Sequence, residues 1–386
     1  MAEDRLSRRS WITHVADCGA AICLGALASC ARRPPTIRMY ASGGFDIGEA
    51  AWQKVCSGLG VSMSFKDNGN DTGPIVAQLT SGSASLDYDL AGIQGGVETV
   101  LAKAGVVSPW DLSLIPNFQE TWPWVQDIKY PIVSGKRFGI PIGVNADSII
   151  YLPDKLKAVR GYESGTVDSY AAVFDERLKG KTSMEDAWIN SVIFTAIYLK
   201  ESLHLAIGDP GNLTESELEG VMKFLIDKKR RGQFRKFWNG WEQGVELVRS
   251  GEVWVMTGWE PIVKELQRRG INALYAEPKE GYEGWTQDLL LPLGARKRGV
   301  ESSVHRLVNT LLDGSYGCFL ASLRGYVVPN DRASRLAKST SEFDQSQVSE
   351  TVRNVQRKLG GKIYWQNVRP DNYPLYEEWW SRLRSA

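Results

Sequence analysis

Apolar and polar positions along this chain repeat with two periods, and the two alternate. Residues 36–40 (Thr36-Ile-Arg-Met-Tyr40) and 61–65 change character at every second position, as strands do when one face is covered. Between them, residues 49–59 carry the helical repeat. The scheme continues with a helix over 75–81, a buried strand over 88–92 and a helix over 97–104 that Gly105 stops. Phe138-Gly-Ile-Pro-Ile-Gly-Val-Asn145 is strand-like and reads as a crossing between two lobes. A second set comes next, with helices near 186–199, 215–229, 241–250 and 302–312, a strand over 251–256 and an amphipathic closing helix over 376–383. Strands alternating with helices of this length predict an α/β fold whose mostly parallel sheets are flanked by helices. Ligands of such sheets gather outside the carboxyl ends of the strands. Here those ends are Ala41-Ser42-Gly43-Gly44 and Gly92-Ile93-Gln94-Gly95-Gly96. Their glycines either let a ligand approach the backbone or simply make the turn.

Length and charge narrow the class. The chain has 386 residues, which suits two domains better than one, because single cores stop growing near about 250–300 residues. A net charge of +1 gives no electrostatic basis for nucleic-acid binding. After the N-terminal segment, no run approaches the roughly 18 apolar residues that span a bilayer.

The first 30 residues read as an export signal. Ser7-Arg8-Arg9-Ser10-Trp11-Ile12 resembles a twin-arginine signal, and residues 19–28 form a short apolar stretch. Leu27-Ala28-Ser29-Cys30 looks like a lipobox, which makes Cys30 the expected lipidation site and leaves residues 31–35 as a tether. Two other readings stay open. Ala26-Leu27-Ala28 would serve as an ordinary cleavage site, and Arg8-Arg9 as a plain basic n-region. Past this segment only Cys56 and Cys318 remain, on separate predicted helices, and they read as buried small residues or as a disulfide across the fold.

Catalytic motifs are lacking. The chain contains no nucleophile elbow, zinc-protease motif, phosphate loop or dinucleotide fingerprint. His204 and His305 read as surface or packing residues, and nothing in the sequence asks for a metal or another cofactor. The chain does have 14 tryptophans. Aromatic faces with a few converging polar groups suit a small cation or polyol.

Four stretches then resemble the solute-binding proteins of bacterial ABC transporters, in particular the spermidine/putrescine-binding branch. They are residues 169–186, Gly251-Glu-Val-Trp-Val-Met-Thr-Gly-Trp259, Pro278-Lys-Glu-Gly281 with Trp285-Thr-Gln-Asp288 and Pro292, and Gly325-Tyr-Val-Val-Pro-Asn330 with Trp365-Gln366 and the 376–379 tail. The resemblance implies a two-lobed periplasmic-binding-protein fold of type II that closes by hinge motion over a cleft. One lobe is expected from residues 36–143 plus about 287–332, the other from 144–286 plus about 333–386. It implies a passive, monomeric binding protein that delivers a small amine-containing solute to a permease of the inner membrane. Rival readings on the same fold are a sensory lipoprotein and an extracytoplasmic enzyme.

The resemblance also implies a site. Trp259 and Trp285 would be stacking rings, Tyr326 a further wall, Asp186 an ammonium-binding carboxylate and Gln366 a terminal hydrogen bond. Asp186, Trp259 and Trp285 are thereby expected to converge. The chain also departs from the family pattern. Ser42 stands in place of an aromatic residue, with Phe45 nearby. Gly95-Gly96 follows Gln94 where a tyrosine is expected. Ile189 replaces a second carboxylate. Gln287 takes the place of a third, with Asp288 beside it. The cage is therefore expected to be short of carboxylates and better suited to a singly charged amine, a zwitterion or a neutral polar solute than to a polyamine.

Overall fold

A computed structural model describes residues 34–42, 45, 47–68 and 72–386. The expected export signal, Cys30 and most of the tether lie outside the described residues, as does the Gly43-Gly44 turn. The compact folded unit begins at Pro34 and runs to Ala386.

The alternating segments form strands β1 (Thr36–Ala41), β2 (Ser62–Asp67), β3 (Leu90–Gln94), β4 (Ile140–Tyr151), β5 (Thr182–Glu185), β6 (Phe234–Trp238), β7 (Val255–Gly258) and β8 (Tyr282–Pro292). Their order is β2-β1-β3-β8-β4-β7-β5-β6. β1 pairs in parallel with β2 and β3, and β5 pairs in parallel with β7 and β6. The two long strands β8 and β4 are antiparallel to each other and join the halves. β8 pairs with β3 through residues 287–290, and β4 pairs with β7 through residues 148–151. Every residue of β4 and β8 is buried. A strand covered on both faces is normally almost wholly apolar. Asn145, Asp147, Glu283, Gln287 and Asp288 break that rule.

Helices cover both halves. The first core gathers Ile37 and Leu289 of the sheet with Trp52 of α1 (Glu49–Ser57). The second gathers Met184 with Ile193 of α2 (Trp188–Glu201), Leu218 of α3 (Glu215–Arg230) and Val255. Thr214 and Glu217 close a capping box at the start of α3, which fixes where that helix begins. α4 (Glu260–Arg268) follows β7, and α5 (Glu301–Leu311), α6 (Ser315–Arg324), α7 (Arg332–Ser339), α8 (Gln345–Leu359) and α9 (Tyr373–Ser385) complete the chain.

The expected lobe boundary near residue 333 needs correction. α7 and α8 bury Ala333, Ala337, Val348, Val352, Val355 and Leu359 in the first core, alongside Leu320 of α6. Their short connections hold them beside the helix that precedes them. Only α9 returns to the second core, with Tyr376, Trp380 and Leu383. Cys56 and Cys318 are both buried and free, and the Cys318 thiol donates to the Ala333 carbonyl at 3.3 Å. Among the described residues no helix is long and apolar enough to cross a membrane.

Candidate functional site

Strand geometry places the polar exceptions of β4 and β8 together. Across the ladder Glu283 faces Asp147, Trp285 faces Asn145 and Gln287 faces Gly143. Gln287 also faces Gln94 of β3. Because alternate side chains share a face, Glu283, Trp285, Gln287, Asn145 and Asp147 belong to one surface of the crossing pair.

Both halves contribute to that surface. Tyr326, which follows α6, meets the Trp285 ring edge to face at 4.6 Å between centroids. Trp285 Nε1 donates to Asp147 Oδ2 at 2.9 Å. Gln366 Nε2 donates to Glu283 Oε1 at 2.8 Å and also to Asn190 Oδ1 of α2. Asn190 Nδ2 in turn donates to Glu185 Oε2, at the end of β5. A continuous polar path thus runs from β8 through Gln366 to the second half. Asp147, Glu185, Glu283 and Gln366 are each less than a tenth exposed. Glu283 Oε2, Gln366 Oε1 and the Tyr170 hydroxyl are buried without a hydrogen-bond partner, and such atoms are costly unless something pairs them.

Burial governs the charge of the acids. It pushes Asp147 up to about 7, against the pull of Lys358 and the Trp285 hydrogen bond. It pushes Glu185 up to about 8, with Asp147 adding to the rise, and raises Glu283 well above the ordinary range. Lys358 reaches in from α8 and is already committed. Its Nζ donates to Asn145 Oδ1 at 2.6 Å, the Ala146 carbonyl at 3.0 Å and Glu260 Oε2 at 2.9 Å. Burial alone would raise Glu260, but the ammoniums of Lys358 and Lys264 hold it below the usual carboxylate range.

The residues singled out from the sequence divide. Trp285, Tyr326 and Gln366 come together, with Gln287 and Gln94 on the adjoining ladder. Asp186 does not join them. Its Oδ1 accepts from Arg384 Nε at 2.9 Å and Trp380 Nε1 at 3.1 Å, in a shallow cavity of about 390 Å³ against α9. Trp259 caps the start of α4 and packs edge-on against Trp238, 4.9 Å between centroids, at the rim of another core cluster. Of the three residues expected to converge, Trp285 lies on this surface, Asp186 pairs with Arg384 and Trp380, and Trp259 packs on Trp238.

Asp288 is also corrected. It is fully buried, accepts from Thr286 Oγ1 at 2.9 Å and pairs with the equally buried Glu98, which adds to the rise that burial gives Asp288, whereas Glu98 is raised by burial against the pull of its hydrogen bond with Asp288. Phe45 is fully buried in the first core, not on a cleft wall. Ser42 is buried beside it, and its backbone N–H donates to the Gly92 carbonyl at 2.9 Å. Gly95 does admit a close approach, but to the ring of Tyr130, which stands where a Cβ would be. Ile189, at the start of α2, packs against a cluster built mainly from the first half, with Val368 from the segment before α9.

Sequence reasoning passed over Asp147, Glu185 and Glu283. A signal was available in two of them, since a carboxylate inside an otherwise apolar crossing strand is out of place unless it serves something. An open depression of about 620 Å³ is lined by other residues, among them Ser202, His204 and Glu280. There the Glu280 carboxylate already accepts from Ser169 and Ser202. His305 is buried, stacked edge-on against Trp110. Among the described residues, no three His, Cys, Asp or Glu side chains are arranged to hold a metal ion.

Residues 57–297, more than half of the chain, match the family model of bacterial extracellular solute-binding proteins. No curated protein matches in sequence. Solved structures do match. A spermidine/putrescine ABC transporter protein from Listeria monocytogenes aligns with a TM-score of 0.70 at 16% identity, covering 90% of this chain and 98% of that one. The spermidine/putrescine substrate-binding protein of Streptococcus pneumoniae gives 0.70 at 13% identity, covering 91% and 99%. A lipoprotein of Treponema pallidum gives 0.68 at 16% identity, covering 91% and 100%.

Proposed function

The chain belongs to the bacterial extracellular solute-binding proteins, and from that premise we propose that it captures a small solute bearing an ammonium group and delivers it to an ABC permease. One observation carries the solute class. Three buried carboxyls, an orphaned amide oxygen and two aromatic rings meet where the crossing strands join the two halves. Acceptors without donors call for N–H groups, and an aromatic wall suits an alkylammonium. The carboxyls of this surface are buried, so entry requires the two halves to part and re-close, as hinge proteins do. The shortage of carboxylates expected from the motif positions is offset by Asp147, Glu185 and Glu283, which lie outside those positions.

The same reading places the protein outside the cytoplasm, held to a membrane through acylated Cys30 and exported by a twin-arginine route. Cys30→Ser is expected to release the protein from the membrane fraction.

Mass spectrometry of solute released from natively purified protein tests the ligand class, and an amine is the expected finding. Thermal shift against putrescine, spermidine and 4-aminobutyrate gives a second reading, because a ligand that binds only the native state raises its melting temperature. Trp285→Ala is expected to weaken binding by at least tenfold. A neutral sugar or an anion as the native cargo would refute the proposal.

A further inference from the structure

Asp147, Glu185 and Glu283 occupy one buried region, and the Lys358 ammonium that reaches it has no proton to spare. Glu283 stands directly opposite Asp147 on the β8–β4 ladder, a position in which like charges destabilise a sheet. Lys358 has three N–H groups and three acceptors, one of them the carboxylate of Glu260. Two further cations stand at its edge, where Arg324 acts on Tyr326 and Lys264 on Glu260, and neither is among the groups that shift Asp147, Glu185 or Glu283. Tyr170, Tyr275 and Tyr326 also face the cluster, with Asp186 beside Glu185 in the chain.

Three buried carboxylates cannot all stay ionised beside one another without a cation. Two species can supply the missing positive charge, a proton or an ammonium group of the cargo. We propose that the cluster exchanges one for the other: the empty protein carries protons on these carboxyls, and a cationic solute displaces them as it binds. The proposal rests on the reading that the cargo is an amine. Its charge balance is simple. An O–H bond of a carboxylic acid breaks, the proton passes to solvent, and the solute ammonium takes its place against the carboxylate.

The raised values at Asp147 and Glu185, about 7 and about 8, put this exchange in the physiological range. Affinity for a cationic solute should then rise with pH between 6 and 8, by up to about tenfold per unit for each proton released. Release would follow acidification. Glu283 sits deepest, with one oxygen held by Gln366 and the other unpartnered.

Two measurements on the intact protein separate this proposal from the reading beneath it. Infrared spectra of solute-free protein between pH 5 and 9 should show protonated carboxyl absorption persisting at pH 6.5, reduced in Glu185→Gln and in Glu283→Gln. Complete ionisation by pH 6 would overturn the exchange whether or not any solute binds. Titration calorimetry with putrescine at pH 6.5, in two buffers of different ionisation enthalpy, should show about one proton or more released per solute. Binding of putrescine with no proton release and a flat pH dependence would sink the exchange and leave amine capture standing. Persistent carboxyl protons with no binding of putrescine, spermidine or 4-aminobutyrate would remove amine capture, and the exchange with it.

Discussion

Glu185 and Asp186 are neighbours in sequence, yet their carboxyls serve opposite sides of the second half. β5 runs through Glu185, so consecutive side chains point to opposite faces. Glu185 turns toward Asn190 and the crossing strands, whereas Asp186 turns toward Arg384 and Trp380. Glu185→Gln is expected to weaken binding of an amine at pH 8 by about 10- to 100-fold, the range set by one charge-assisted hydrogen bond. Asp186→Asn should leave affinity within about threefold and cost less than about 1 kcal/mol of stability, because its ion pair with Arg384 is largely exposed. Calorimetry and urea unfolding of the two variants check both statements, and the reverse ranking would move the site to the cavity beside α9. The sequence could not choose between the two carboxyls. The motif suggested that a helix begins at Asp186, but it begins at Trp188 and the strand persists through Glu185. A similar ambiguity arose at Gln287 and Asp288, where the ladder slips by a residue and sends the two side chains to different neighbours. The rings and the amide were legible because each belongs to a fixed motif.

The elements that hold the surface together are the crossing strands and α8. Lys358 comes from a helix packed on the first core, and Glu260 is the first residue of a helix that follows the second half's sheet. Their ion pair, with Lys358 Nζ only 2.9 Å from Glu260 Oε2 and the lysine 4% exposed, ties the two halves at one level of the crossing pair. Breaking such a pair from one side leaves a buried charge alone. Lys358→Met is therefore expected to destabilise the protein by about 3 kcal/mol or more, and Glu260→Gln added to it should restore much of the loss. Denaturant unfolding of the single and double variants measures this, and additive losses would mean that the two residues act separately. The ordering of strands and helices was readable from periodicity, because strand and helix repeats differ so clearly. The allocation of α7 and α8 was not. Their amphipathic patterns require a core to pack on but do not say which one, and the choice follows from the three-dimensional stacking of α6, α7 and α8.

At the scale of the whole molecule, the acids that suit a cation burden the empty protein. Burial holds the values of Asp147 and Glu185 near 7 and 8, and raises Glu283 as well, above the roughly 4 of an unfolded carboxyl. Between those limits the native state binds more protons than the unfolded chain, so by linkage stability declines as pH rises. The contribution is complete below about pH 4 and is lost as pH passes through 7 and then 8. Groups such as Glu120 and Asp111, held low by hydrogen bonds, act with the opposite sign, but their contribution is already in place by neutral pH. The window from 6 to 8.5 therefore reads the buried raised acids, this cluster together with the Glu98–Asp288 pair, and variants of the cluster separate its share. Solute-free protein should lose up to about 1.4 kcal/mol per pH unit for each excess proton there, seen by calorimetry as a falling melting temperature. Glu185→Gln removes one such proton and should flatten the slope, while saturating putrescine should remove the cluster's share of it by supplying the cation directly. If wild type and Glu185→Gln fall in parallel across this range, Glu185 carries no excess proton, and the tension stored at the crossing strands must be relieved by some group other than this carboxyl.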